Sequence, residues 1–203
     1  MFDALFLQFE QNLPSLRMDE VLLYKKHHEI LSEWNSKINL VSRSSFDKAF
    51  AAHYVDSILI SDFARPFVED RGVFDLGTGA GFPGLLFAIR YPNLRVTLIE
   101  RSQKKKKFLL DVVERLELKN VALVDATATG LGGFFFARAV YPPTELFYLF
   151  LSKLKKGGRF VLNLGGENKT KVVPGGFKNI FAQIYSLPQE LGNRRIEIFE
   201  RST

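Results

Sequence analysis

The sequence predicts an α/β fold: a mainly parallel, seven-stranded sheet with helices on both faces, preceded by a helical extension. Two observations lead there. From about residue 71 onward, short apolar runs alternate with longer helical segments, the pattern of parallel strands joined by covering helices. Within that stretch, Val73-Phe74-Asp75-Leu76 runs directly into Gly77-Thr78-Gly79-Ala80-Gly81-Phe82-Pro83-Gly84 and then into the apolar run Leu85-Leu86-Phe87-Ala88-Ile89. That is a strand, a tight glycine turn and a helix.

Taken in order, residues 1 to about 65 read as helical. Phe2, Leu5, Phe6, Phe9, Leu13 and Leu16 recur at three- and four-residue intervals and make one apolar face. Pro14 ends that first helix. A second helix carries Leu22, Leu23, Ile30, Leu31 and Trp34, and a third runs from about Phe46 to Phe63. Arg65-Pro66 marks a boundary, so residues 1–65 form a helical subdomain and residues 66–203 a second domain.

In the second domain, strands are expected at Val73–Leu76, Arg95–Glu100, Asn120–Val124, Phe134–Ala137 and Arg159–Leu164. The helices between them are Phe82–Arg90, Lys104–Leu116 and Thr144–Leu154. The last is stopped by Lys155-Lys156-Gly157-Gly158, a basic final turn with glycine beyond it. Phe181–Tyr185 and Arg195–Phe199 add an antiparallel pair. Right-handed crossovers then place a ligand at the carboxyl ends of the strands, at the switch point beside the first of them.

The chain has 203 residues, 46% of them hydrophobic and 25% charged, enough for one substantial core. Its 20 phenylalanines are spread along the sequence and read as core. Cysteine is absent, which removes disulfides, thiolate metal sites and a cysteine nucleophile. His27-His28 has no partner spacing for a metal, and no metal is assigned. The net charge of +6 is the footprint of a polyanion binder. No run of 18 apolar residues occurs and the N-terminus lacks a basic start, so no membrane partner and a cytoplasmic location are expected.

The glycines allow two ligands. Gly79, Gly81 and Gly84 fit G-x-G-x-x-G, and Glu100 lies at a ribose-binding distance, as in a Rossmann-like NAD-dependent oxidoreductase. Asp75, Gly77, Gly79 and Gly81 also make D-x-G-x-G-x-G. An acid before the glycines suits an ammonium-bearing ligand and repels a pyrophosphate. That string resembles the first motif of class I S-adenosylmethionine (AdoMet) methyltransferases.

Further motifs narrow the resemblance. They are Trp34-Asn35-Ser36-Lys37-Ile38-Asn39-Leu40, His53-Tyr54-Val55-Asp56-Ser57, Lys107-Phe108-Leu109 and Ala137-Arg138-Ala139-Val140. With the glycine motif, they make the chain similar to the RsmG or GidB family of bacterial 16S rRNA (guanine-N7) methyltransferases. The resemblance implies AdoMet as cofactor, 16S rRNA or the small ribosomal subunit as partner and position 527 of that RNA as target; a monomer is expected. The resemblance places Gly77 and Phe82 at the border of the methionine end, Asp75, Gly79 and Gly81 among the cofactor-binding residues, Glu100 on the ribose hydroxyls, and the peptide groups of Ala128 and Thr129 on the adenine. Arg138 becomes a cofactor-side and catalytic arginine. The chain departs from the family pattern at Thr129, at Leu131-Gly132-Gly133-Phe134 and at Gly165-Gly166.

Guanine N7 already carries a lone pair, so methylating it needs orientation rather than a general base. His53 and Asp56 lie one helical turn apart and are expected to lock their helix against the next domain or to shape the pocket rather than to catalyse. Tyr141-Pro142-Pro143 reads as a loop and helix start. Lys104–Lys107 is either a solvated helix face or a phosphate contact together with Lys25, Lys26, Lys37, Arg43 and Lys48. A non-catalytic RNA-binding or ribosome-assembly protein is the remaining alternative.

Overall fold

The structure is a computed structural model. It describes residues 13, 15–42, 50–69, 72–125, 133–138, 142–166, 168–188 and 191–203, with the backbone alone at 50–52. Five α-helices are present among these residues: α1 (Met18–Asn35), α2 (Asp56–Ala64), α3 (Gly84–Arg90), α4 (Gln103–Arg115) and α5 (Pro143–Lys153). The strands are β1 (Val73–Leu76), β2 (Val96–Ile99), β3 (Val121–Val124), β4 (Phe134–Phe136), β5 (Arg159–Gly165), β6 (Phe177–Ser186) and β7 (Asn193–Arg201).

The strands form one sheet in the order β3-β2-β1-β4-β5-β7-β6. The first five are parallel, β7 runs antiparallel to β5, and β6 antiparallel to β7. The order reverses at β1, which has β2 on one side and β4 on the other. A crevice opens at the carboxyl end of such a reversal. α3 begins at Gly84 rather than Phe82, because the Thr78 carbonyl accepts from the amides of Gly81 (2.8 Å) and Phe82 (3.2 Å) and holds residues 78–83 in turns.

α1 buries Val21, Tyr24, His27, Ile30 and Leu31, spaced by three and four residues with one adjacent pair. Leu22, an expected face residue, is 55% exposed, because the buried stripe passes through its neighbour Val21. The described part of the third helix starts as a π-helical segment, Phe50–Val55, before α2. α2 ends in a 3₁₀ turn at Arg65–Phe67, where Pro66 lacks the N–H that would continue it.

One apolar core runs from Tyr24, Ile30 and Leu31 of α1 through Leu85–Ile89 of α3 to Ile196 and Ile198 of β7. Arg90 of α3 joins these helices. Its guanidinium reaches Glu20 at 2.8 Å, Asp62 at 2.9 Å and the Ser15 hydroxyl at 2.7 Å. A second core on the other sheet face is built largely of phenylalanine: Phe135, Phe147, Phe150, Phe160, Phe177 and Phe199. Phe150 and Phe160 stack with centroids 4.6 Å apart.

Candidate active site

The glycine turn begins where β1 ends. The Gly77 amide donates to the Ile99 carbonyl at 2.8 Å, which carries the β1–β2 pairing one step past the strand. Gly77, Gly79 and Gly81 have φ of 68°, 58° and 87°, in the left-handed region that side chains with a Cβ avoid. Beyond that, the glycines serve different ends. A Cβ on Gly81 would lie 2.2 Å from Leu85 Cδ1, and one on Gly84 would lie 2.5 Å from Asp75 Oδ2 and 2.7 Å from Leu98 Cδ2. Gly84 lets α3 pack on the sheet, and Gly81 leaves room for Leu85 of α3. A Cβ on Gly79 would meet only the Gly77 carbonyl, at 3.8 Å. Of Gly79, Gly81 and Gly84, Gly79 is the one that faces open space.

Two carboxylates hold the turn. Asp75 is 1% exposed, and its Oδ2 accepts from the Gly84 amide at 2.9 Å, tying the start of α3 to β1. Its Oδ1 and the Thr78 hydroxyl are both buried, the hydroxyl lying where it favours the charged carboxylate. Burial pushes the Asp75 carboxyl up to about 6, against the pull of Thr78, the Gly84 amide and the charge of Arg138. Glu100, at the carboxyl end of β2, accepts from the Gly79 amide at 3.1 Å and the Ser102 amide at 2.8 Å. Each carboxylate oxygen of Glu100 keeps a further lone pair for a hydroxyl donor.

Phe82 closes the turn and is buried in an aromatic cage. Its ring stacks on His53 at 5.3 Å and meets the edges of Tyr54 at 5.0 Å and His27 at 5.4 Å. The Arg138 guanidinium lies 5.7 Å from its centroid. Arg138, just past β4, donates from Nη1 to Asp56 Oδ2 at 3.0 Å and the Ser57 hydroxyl at 3.4 Å, and from Nη2 to His53 Nδ1 at 2.7 Å. His53, Asp56 and Ser57 therefore meet on one arginine. Burial and the charge of Arg138 lower the His53 pKa to about 4, so it accepts as a neutral imidazole.

His27 belongs to the site, and sequence reasoning weighed it only as a metal ligand. It is fully buried, 3.2 Å from the Ala80 carbonyl through Nε2 and 2.5 Å from the Tyr54 hydroxyl through Nδ1. The carbonyl can only accept, so Nε2 carries the proton and Nδ1 accepts from Tyr54. Burial lowers its pKa to about 3. A neutral histidine from α1 thus holds the tip of the glycine turn. Its spacing of three from Tyr24, on the buried stripe, is the signal that could have found it.

Trp34 and Asn35 are structural. The Trp34 indole donates to Asp111 at 2.7 Å, and Asn35 Oδ1 accepts from the amides of Leu40 (2.9 Å) and Val41 (3.0 Å). In the lysine run, Lys106 is engaged, its ammonium paired with Asp125 beyond β3. Lys37 sits 5.7 Å from the Trp34 ring. Pro143 opens α5, as expected of the Pro-Pro segment. Ala128, Thr129, Leu131, Gly132, Arg43 and Lys48 lie outside the described residues.

The model of the rRNA small subunit methyltransferase G family, GidB, matches residues 22–191. The chain belongs to this family. A ribosomal RNA small subunit methyltransferase G of Acetivibrio thermocellus is 35% identical over 172 residues, covering 79% of this chain and 68% of the relative. That of Staphylococcus saprophyticus is 32% identical over 193 residues, covering 88% and 80%. Among solved structures, a mutant of MtNAS in complex with S-adenosylmethionine superposes with a TM-score of 0.61 at 14% identity, covering 91% of this chain and 77% of that one. TrmN from Thermus thermophilus gives 0.53 at 20% identity, over 71% and 48%. Those two show a shared fold. Family membership decides between the two ligands the glycine spacing allows, in favour of the methyl donor.

Proposed function

We propose that this GidB-family protein transfers a methyl group from AdoMet to N7 of one guanine in small-subunit ribosomal RNA, position 527 by resemblance, in the cytoplasm. The observation that carries this reading is the pairing of the outward-facing Gly79, held on Glu100, with Arg138, placed over Phe82 at the end of the same turn. The turn is where a methyl donor would lie, and Arg138 is where donor and acceptor would meet.

The residues present fit AdoMet. Glu100 has lone pairs for two ribose hydroxyls, and the open side of Gly79 admits a ligand to the main chain. Asp75, buried at the start of the turn beside the Thr78 hydroxyl, is an acid of the sign that suits an ammonium group. When bound, AdoMet supplies an electrophilic methyl on a sulfonium. The chain's own task is to orient the guanine, whose ring takes up the positive charge of the sulfonium as the N7–methyl bond forms and the S–methyl bond breaks. Arg138, pinned on three sides by His53, Asp56 and Ser57 and with its charge balanced by Asp56, is the hydrogen-bond donor placed to orient it. No side chain of the site is asked to move a proton.

The test is methyl transfer from labelled AdoMet to 16S rRNA and to small subunits from cells lacking the protein, with N7-methylguanine mapped by its sensitivity to borohydride and aniline. A single modified guanine is expected. Binding of S-adenosylhomocysteine without NAD binding should accompany it in calorimetry. RNA binding with no transfer would support the assembly-factor alternative instead.

A further inference from the structure

We infer that Tyr185 of β6 and Asn163 of β5 are positioning residues for Arg138, acting through Asp56; the inference rests on the proposed methyl transfer. Asp56 is 3% exposed and lies at the start of α2. Its Oδ1 accepts from the Tyr185 hydroxyl at 2.6 Å. Its Oδ2 accepts from Asn163 Nδ2 at 2.8 Å and from Arg138 Nη1 at 3.0 Å. Three donors converge on one buried carboxylate, which fixes where its charge sits and hence where the guanidinium can sit.

The geometry singles out the Tyr185 hydroxyl. β6 is one of the two edge strands, and of its ten residues only Phe177 and Tyr185 are buried. Phe177 enters the phenylalanine core, whereas Tyr185 turns its hydroxyl into the site and rests its ring 5.5 Å from Phe63. Burial and the Asp56 carboxylate both drive the Tyr185 pKa up, so it stays a phenol and donates throughout the working pH range. β6 is antiparallel to β7 and β7 to β5, so β6 runs in the direction of the parallel strands, and its carboxyl end, with Tyr185, lies level with that of β5. Asn163 Nδ2 fills the third position on Asp56 from β5, between the hairpin and Arg138.

The experiment compares Tyr185→Phe and Asn163→Ala with the parent protein. Tyr185→Phe keeps the ring on Phe63 and removes only the donor. Each variant should lower kcat for rRNA methylation on the order of tenfold, the size of a buried hydrogen bond to a charged group. Affinity for S-adenosylhomocysteine should stay within about twofold, since neither residue touches the glycine turn. In an Arg138→Ala background, Tyr185→Phe should have no further effect on kcat. A purely structural role predicts the same fold-loss in both backgrounds, and that additivity would overturn the inference. A second readout needs no RNA. Arginine-selective NMR should show restricted rotation of the Arg138 guanidinium in the parent and faster exchange in both variants. Unchanged exchange in both would overturn the inference even if activity fell. Absence of rRNA methylation by the parent protein would refute the proposed function instead, leaving the NMR comparison to decide this one.

Discussion

Gly79 and Glu100 stand 21 residues apart in sequence and are joined by a 3.1 Å hydrogen bond from the Gly79 amide to the Glu100 carboxylate. The bond links the glycine turn after β1 to the end of β2. It makes the proposed ribose ligand a brace for the proposed cofactor loop, so loop and ligand are predicted to fail together.

Gly79→Val should nearly abolish binding of AdoMet while the remaining fold persists. The new side chain would stand in the open space beside the turn, at a φ of 58° that costs about 1–2 kcal/mol for a residue with a Cβ. Gly81→Ala should behave differently. Its Cβ would strike Leu85 at 2.2 Å, so it should lower thermal stability by about 1–3 kcal/mol through overpacking. Calorimetry with S-adenosylhomocysteine and thermal melts of both variants separate the effects. Parent-like affinity in Gly79→Val would refute the placement of the site.

Glu100→Ala should weaken AdoMet by about 1.5–3 kcal/mol, the range for hydrogen bonds to a charged group. It also leaves the Gly79 and Ser102 amides without their acceptor. A deoxyribose analogue separates the two losses. If the ribose contact is real, the variant should no longer distinguish the analogue from the natural compound. Discrimination retained at the parent level would mean that Glu100 only braces the loop.

Stability should change with acid in a way traceable to His53. A histidine with a folded pKa of about 4 and an ordinary unfolded value near 6.5 is protonated first in the unfolded state, so it removes stability as pH falls between those values. His27, held at about 3, acts in the same direction. Asp75, raised from 3.8 to about 6, acts in the opposite direction over its window, because its folded form takes the proton first. Between pH 4 and 6 these groups sum to two protons less one, a net loss of about 1.4 kcal/mol per unit of falling pH. His53→Gln keeps an acceptor for Arg138 and should flatten the slope by about one proton. Denaturant melts from pH 4 to 7 measure it, and an unchanged slope would show that His53 does not titrate as described.

The lysine run should contribute to RNA binding through only part of its length. Lys106 is already paired with Asp125. Changing Lys104, Lys105 and Lys107 to glutamine should weaken rRNA binding and leave AdoMet affinity within about threefold. Each lost phosphate contact should flatten the dependence of log affinity on log salt by about 0.7–0.9. An unchanged salt slope would identify the run as a solvated helix face.

The sequence by itself determined the strand–turn–helix at residues 73–90, the parallel order of elements and the antiparallel pair at the end. Local patterns specify these features. A glycine turn after an apolar strand has few alternative conformations, and the long amphipathic segments declare their period. The same local information placed Asp75, Glu100 and the glycines together, since they lie on neighbouring elements of one βαβ unit. What only the tertiary structure decided is which partners the buried polar groups take. His27 on the Ala80 carbonyl, the convergence of His53, Asp56, Asn163 and Tyr185 around Arg138, and the capture of Lys106 by Asp125 join residues from separate elements. No sequence period encodes such pairings. They arise because a polar group taken out of water must find a donor or acceptor wherever packing brings one. Leu22 facing solvent while His27 is buried follows from the same cause: α1 docks on the face that satisfies its polar groups as well as its apolar ones.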